Sequence, residues 1–263
     1  LGTQTPPHDN LCLELFQEWT DEESQMNQDE RRALWRAVAN GEEGEVRAAL
    51  AANPGLATEY EEFDYQPTMV MTMLHVAAAW DHIEIMGLLM RAGADPAALA
   101  PLGKGRITPL HSAGRGQGPA VKVLLDAGVD PNVCVKRGTT PLYNAAFNGR
   151  LEPCRLLLER GADCEGKPST KIPLFAAAQE GHSAAIALLL AAGAKIDRRD
   201  SNHNTALHLA AQFGDVEVNR FLLEQGLDPD QANKKRETPR DLTRSNFFGN
   251  NRALLSELYD AWR

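Results

Sequence analysis

The sequence predicts an all-α solenoid of about seven helix-pair units, with the first and last as caps and β-hairpin-like fingers between units. Three observations predict it. A short phrase returns along the chain, as Thr205-Ala206-Leu207-His208-Leu209-Ala210-Ala211 and as Thr140-Pro141-Leu142-Tyr143-Asn144-Ala145-Ala146. Shorter forms stand at Thr108-Pro109-Leu110-His111, Thr72-Met73-Leu74-His75 and Ile172-Pro173-Leu174-Phe175. The second residue of the phrase recurs from Pro109 to Pro141, Pro173, Ala206 and Pro239, in steps of 32, 32, 33 and 33. Each regular phrase is followed by a Leu-rich run that a Gly closes, at Gly93, Gly128, Gly161, Gly193 and Gly226.

Each part of the phrase has a physical role. A Thr hydroxyl caps a helix by accepting from an orphan first-turn amide. Pro at the next position lacks an amide that the first turn does not use. Ala is small and helix-favouring, so neighbouring helices approach closely. Gly149, Gly181 and Gly214 follow the first helix, where a left-handed stop is needed. One helix pair cannot bury its own apolar face, so stability comes from stacking. Period and wording together resemble the ankyrin repeat, over roughly residues 30 to 258. The expected layout is an N-terminal extension over 1–29, partly helical, then an array over 30–258 with a long loop at 58–71, then a tail over 259–263.

Charge and composition exclude several functions. The net charge is −9. Residues 1 to 64 carry 15 acids against 4 bases, a net of −11, and the remainder 21 against 23, a net of +2. Acidity at one end disfavours non-specific nucleic-acid binding, which needs a basic face. No apolar run is long enough to span a bilayer, and the first residues lack a signal pattern. Cys12, Cys134, Cys154 and Cys164 are scattered without a metal-ligand frame, and read as reduced intracellular thiols. Leu1 in place of a start Met suggests a fragment.

Taken in order, Leu11, Leu13, Leu15, Phe16 and Trp19 suggest a short amphipathic helix that either lies on the first repeat or docks into a partner. Residues 29–57 hold a degraded unit, with Leu34, Ala37, Gly41, Val46, Ala49 and Leu50 in the expected places, as a cap should. The loop at 58–71 is too long for an ordinary finger and carries aromatic and acidic residues. It is either a binding loop or inert packing. Trp80 and Asp81 replace a surface residue and the turn Gly. Repeat three has lost one residue and carries Gly114, Gly116 and Gly118, which implies a tightened turn or, as the alternative, an anion-holding loop. The last unit, Thr238 to Leu258, substitutes charge for His and Ala, with Leu254, Leu255 and Leu258 in its second helix.

No nucleophile, metal or nucleotide motif is present, so no catalytic residue, metal or cofactor is expected. His75, His111 and His208 recur at one place in the phrase and are expected to bridge backbone groups of the preceding turn. Asn132 resembles the sites that asparaginyl hydroxylases modify in ankyrin proteins. The resemblance implies a non-catalytic scaffold that binds a partner protein through the concave face, acting as an intracellular, cytoplasmic monomer without nucleic acid or membrane. It implies first-helix contacts at Trp80, Arg115, Phe147, Asn148, Gln179, Glu180, Gln212 and Phe213. It implies finger contacts that include Arg137, Asn202, Lys235 and Arg236. Trp80, Phe147 and Phe213 are expected at comparable places, as one stripe of apolar anchors. The alternative reading is a ligand or catalytic pocket between the long loop and repeats two and three, from Tyr60, Phe63, Asp64, Tyr65, Met69, Met71, Asp81 and His82. A further alternative is an interaction module of a larger multidomain protein.

Overall fold

The computed structural model describes residues 28–63, 66–100, 107–135, 138–166, 171–213, 215–244 and 251–262. The suggested helix over Leu11 to Trp19 lies outside them. Among the described residues there are seven helix pairs. They are α1 (Gln28–Asn40) with α2 (Glu43–Ala52), α3 (Met73–Ala79) with α4 (Ile83–Arg91), and α5 (Pro109–Ala113) with α6 (Pro119–Asp126). Then come α7 (Pro141–Phe147) with α8 (Leu151–Glu159), α9 (Pro173–Gln179) with α10 (Ser183–Ala191), and α11 (Ala206–Phe213) with α12 (Val216–Glu224). The array closes with α13 (Pro239–Arg244) and α14 (Arg252–Ala261). The first helices of successive pairs pack on one another in one layer, and the second helices do so in another.

The core runs unbroken along the stack. Leu74, Leu110, Leu142, Leu174 and Leu207 face it from the first helices, and the Ala residues that follow, paired in all but repeat three, are fully buried. Leu89, Leu124, Leu157, Leu189 and Leu222 fill it from the second helices. Small residues at the helix contacts let the two layers approach, which is why the phrase tolerates Ala and little else there.

The long loop is instead structured. A 3-10 turn at Pro54–Thr58 leads into an antiparallel hairpin, β1 (Tyr60–Phe63) with β2 (Gln66–Thr72), in which Tyr60 pairs with Thr72. Tyr60, Phe63, Thr68 and Val70 are β-favouring types, and Thr72 both ends the strand and caps α3. Elsewhere a finger shows a single bridge, Val135 with Thr139. Four finger bases share one device: Asp95, Asp130, Asp163 and Asp228 each accept from the amide two residues on, at 2.8–2.9 Å, and Asp200 does the same further along its finger.

The recurring histidines bridge backward to the preceding turn, as expected, and His75 and His111 also reach forward to the next finger. His75 Nδ1 accepts from the Thr72 amide at 3.3 Å, and Nε2 donates to the Ile107 carbonyl of the next finger at 2.9 Å. His111 does the same with Thr108 and Thr139, at 3.3 and 3.1 Å. Burial lowers both imidazoles from 6.5 to about 4, against the opposing pull of those carbonyls. They are therefore neutral, with the proton on Nε2. A second pair, His82 and His182, reaches back to the Ala39 and Phe147 carbonyls at 3.0 and 3.2 Å. Each ring lies where a Cβ on Gly41 or Gly149 would sit, and both glycines have positive φ, 79° and 63°. Only glycine satisfies both demands.

The terminal units cap the stack. Trp35, Val38 and Val46 are buried at one end. At the other, residues 259–261 of the expected tail continue α14, and Tyr259 is the largest fully buried side chain among the described residues. Its hydroxyl donates to Asn219 Oδ1 at 2.7 Å. Of the three predicted leucines, Leu255 is buried, Leu258 is half-buried and Leu254 is exposed.

Candidate protein-interaction face

The ends of the first helices and the fingers beside them carry the candidate site. Aligned on the capping Thr or Ile, Trp80 matches Asn148, Glu180 and Phe213, whereas Phe147 matches Ala79, Gln179 and Gln212. The expected stripe of three equivalent aromatics is thus corrected: Phe147 stands one residue earlier, inside its helix. That register turns its ring onto Tyr143, one helical turn before it, with centroids 6.1 Å apart and planes at 26°. Trp80, past the end of α3, is 66% exposed. Phe147 and Phe213 are half-buried.

Tyr143 was not among the expected site residues. It occupies the place that His holds in repeats two, three and six, and that substitution is the signal that could have found it. A tyrosine cannot make the buried bridge, so Thr140 caps the helix alone by accepting from the Tyr143 amide at 3.1 Å. The ring stays half-buried, and Lys171 Nζ of the next finger lies 4.9 Å from its centroid. A cation over an aromatic face replaces the missing bridge. Burial and the nearby Glu180 carboxylate raise the Tyr143 hydroxyl above the usual phenol range, so it is a neutral donor.

Polar groups flank these rings. Asn148 Nδ2 donates to the Asn144 carbonyl at 2.7 Å, and Asn144 Nδ2 to the His111 carbonyl at 3.1 Å. Gln179 Nε2 donates to Glu180 Oε1 at 2.9 Å. Gln212 is half-buried, and Arg115 and Asn202 are exposed. The Asn202 carbonyl accepts from the Lys234 amide of the next finger at 2.9 Å. Arg137 lies outside the described residues.

The residues of the alternative pocket divide differently. Asp64 and Tyr65 lie outside the described residues, as do the side chains of Tyr60, Phe63 and Met69. Met71 is half-buried in β2. The Asp81 carboxylate accepts from the Gln117 amide and, at 2.8 Å, from the Ala120 amide at the start of α6. The glycine loop of repeat three is thus an amide cradle filled by the chain's own carboxylate. His82 is committed to Ala39, as above. Both groups serve as ties between repeats. Asp81 also holds φ at 57°, a strained value for a residue with a Cβ. Replacing Asp81 with Ala removes a cross-repeat cap and is expected to cost about 1–2 kcal/mol. Urea midpoints would show the loss, and an unchanged midpoint would mean the amides find other partners.

Asn132 also ties repeats. Its Nδ2 donates to the Gly161 carbonyl at 2.9 Å, and its Oδ1 accepts from the Asp163 amide at 2.7 Å. Burial pushes the Cys154 thiol up to about 12, so it is inert at neutral pH. Among the described residues no His, Cys, Asp and Glu cluster is placed to hold a metal ion, and no helix is long and apolar enough to cross a membrane.

Known proteins share this arrangement. The family model described as Ankyrin repeats (3 copies) matches residues 99–168 and 165–233, and the model described as Ankyrin repeat matches 71–100. A Caenorhabditis elegans homolog of transient receptor potential cation channel subfamily A member 1 is 31% identical over 81% of this chain and 14% of its own length. The Mus musculus B-cell lymphoma 3 protein homolog is 32% identical over 70% of the chain and 42% of its own. The chain thus spans less than half the length of either. Bovine cyclin-dependent kinase 4 inhibitor B is 36% identical over 43% of the chain and 86% of its own. The crystal structure of the human ASB11 ankyrin repeat domain superposes with a TM-score of 0.67 at 23% identity, covering 80% of this chain and 90% of that one, and shares the fold. With the repeat phrase, the seven stacked pairs and the matched segments agreeing, this chain belongs to the ankyrin-repeat family.

Proposed function

We propose that the chain is a non-catalytic scaffold that binds a partner protein through the first-helix ends and fingers, the face that is concave in the family. One observation carries this reading: Trp80 leaves 66% of its surface in water at the end of an otherwise buried helix. Large exposed aromatics are the side chains that most often dominate interfaces. The Tyr143–Phe147 pair, Lys171, Glu180 and Phe213 supply further contacts along the same layer. The bovine relative is by its name an inhibitor of a kinase, so that protein acts on another protein. The same reading places the chain inside the cell, where Cys134, Cys154 and Cys164 stay unpaired.

The test uses peptides selected on this protein from a random 16-residue display library. Replacing Trp80 or Phe213 with Ala should weaken them by roughly 30-fold, the effect of truncating an interface anchor. The melting temperature of Trp80→Ala should not change, because the ring contributes little to the core. Unchanged affinity in both variants would contradict the proposal.

A further inference from the structure

We propose that Asp81 is a positioning residue for the binding face, which locks the turn carrying Trp80 to the turn carrying Arg115 before a partner arrives. This inference rests on the scaffold reading and assigns a role within it.

The junction between repeats two and three is tied in the opposite direction to its neighbours. The residue that opens the second helix is His82, Gly118, Arg150, His182 and Asp215 in repeats two to six. His82 and His182 reach back to the Ala39 and Phe147 carbonyls. The Asp215 carboxylate also lies back on the preceding turn, 2.8 Å from where a Cβ on Gly181 would sit. Gly118 has no side chain with which to reach back. The tie comes forward instead, because Asp81 accepts from the Gln117 and Ala120 amides of repeat three. Glycine makes the space for it, since a Cβ on Gly116 would strike the Asp81 carboxylate.

The forward tie carries a conformational cost. Gly41, Gly149 and Gly181 hold the place of Asp81 in repeats one, four and five, with φ of 79°, 63° and 81°. Asp81 takes a Cβ into the same left-handed region, at 57°. A backward tie onto glycine, as at the other junctions, would join the two repeats without that strain.

What the forward tie adds is set by the residues beside it. Trp80 directly precedes Asp81 and is the most exposed large apolar side chain among the described residues. Arg115, also exposed, stands two residues before Gln117. Backbone bonds close both turns. The Trp80 amide donates to the Val76 carbonyl at 3.2 Å and the His82 amide to Ala77 at 2.9 Å. The Arg115 amide donates to Ser112 at 3.0 Å and the Gly116 amide to Ala113 at 2.9 Å. One carboxylate thus joins two closed turns, and Trp80 and Arg115 are held about one repeat apart, ~10 Å. A ring reaching back from position 118 would instead lie on the Trp80 turn, as the His182 ring lies on the turn of Phe147 and Gly149. Fixing two contact residues in the free protein lowers the ordering cost of binding.

Peptides selected from the 16-residue library read the effect. Asp81→Gly removes the tie but suits the left-handed φ, so it should melt higher than Asp81→Ala. It should still bind the peptides roughly 5-fold more weakly than wild type. Gly116→Ala breaks the same tie from the other side and should weaken them to a similar degree. Asp81→Asn tolerates the φ and keeps one oxygen acceptor, and should bind between wild type and Asp81→Gly. In the Trp80→Ala background, Asp81→Gly should change affinity by less than about twofold, because its effect passes through the indole. Wild-type affinity in both Asp81→Gly and Gly116→Ala, with Trp80→Ala still weakened, would overturn the inference and leave the scaffold intact. Losses from Trp80→Ala and Asp81→Gly that simply add would do the same, since a merely structural tie acts on the whole stack. Peptides indifferent to Trp80→Ala yet weakened by Phe213→Ala would remove the role of Asp81 alone. Peptides indifferent to both would overturn the scaffold reading with it.

Discussion

Lowering the pH from 7 to 5 is expected to remove roughly 4 kcal/mol from the stability of the array, about 2 kcal/mol for each of His75 and His111. Both rings are fully buried and neutral, and burial holds them at about 4, below the ordinary 6.5. His111 feels a smaller further depression from the charge of His75. The sign follows from which state takes the proton first. The unfolded chain protonates near pH 6.5, whereas the folded chain resists until about pH 4. The contribution is complete above pH 6.5 and is lost as the pH falls from there to 4. His208, lowered in the same direction chiefly by burial, adds to the trend. Protonation also destroys the cap, because Nδ1 can no longer accept from the Thr amide. Urea midpoints at pH 7, 6 and 5 would show a steady fall. A midpoint that stays flat to pH 5 would mean that these rings are not held neutral.

Replacing Tyr259 with Ala is expected to cost about 3–5 kcal/mol, the usual loss for a large buried aromatic. The ring is fully buried between the last two units, and its hydroxyl satisfies Asn219. Asn219 in turn donates to the Asp215 carbonyl at 2.6 Å, at the start of α12. Tyr259→Phe keeps the packing but leaves Asn219 Oδ1 without its donor, at about 1–3 kcal/mol. Deleting residues 251–263 goes further, since it uncovers α12 along Val218 and Leu222. The truncated chain should melt lower and aggregate, because a solenoid end without a polar cap shows its core to water. Thermal melts with light scattering would reveal both changes. A monodisperse truncation with an unchanged melt would show that α14 is not a cap.

Local and periodic features were legible in the sequence. The Thr, Leu, Ala and Gly places each recur, so helix starts, core faces and left-handed stops could be read from one chain. Features that depend on a partner in another repeat were not. Asp81 looks like an odd residue in a glycine place, because the amides it caps lie in the turn of the next repeat. The histidines show their backward bond by recurrence, but the forward half of the bridge depends on where the next finger passes. The hairpin has no counterpart in other repeats, so its pairing carried no periodic signal. Tyr259 is spaced four residues from Leu255, a readable helical pair, yet a single Tyr in a polar segment looks like surface. At the site, exposure of Trp80 follows from its alignment with the polar Asn148 and Glu180. The place of Phe147 needed that alignment made residue by residue.

The claim that the first-helix ends and fingers form the binding face is tested most directly by amide hydrogen exchange, with and without a selected peptide. Binding should slow exchange at the ends of α3, α7 and α11 and in the fingers before α9, α11 and α13. Protection confined to α4, α8 and α12, or to the hairpin of β1 and β2, would contradict it.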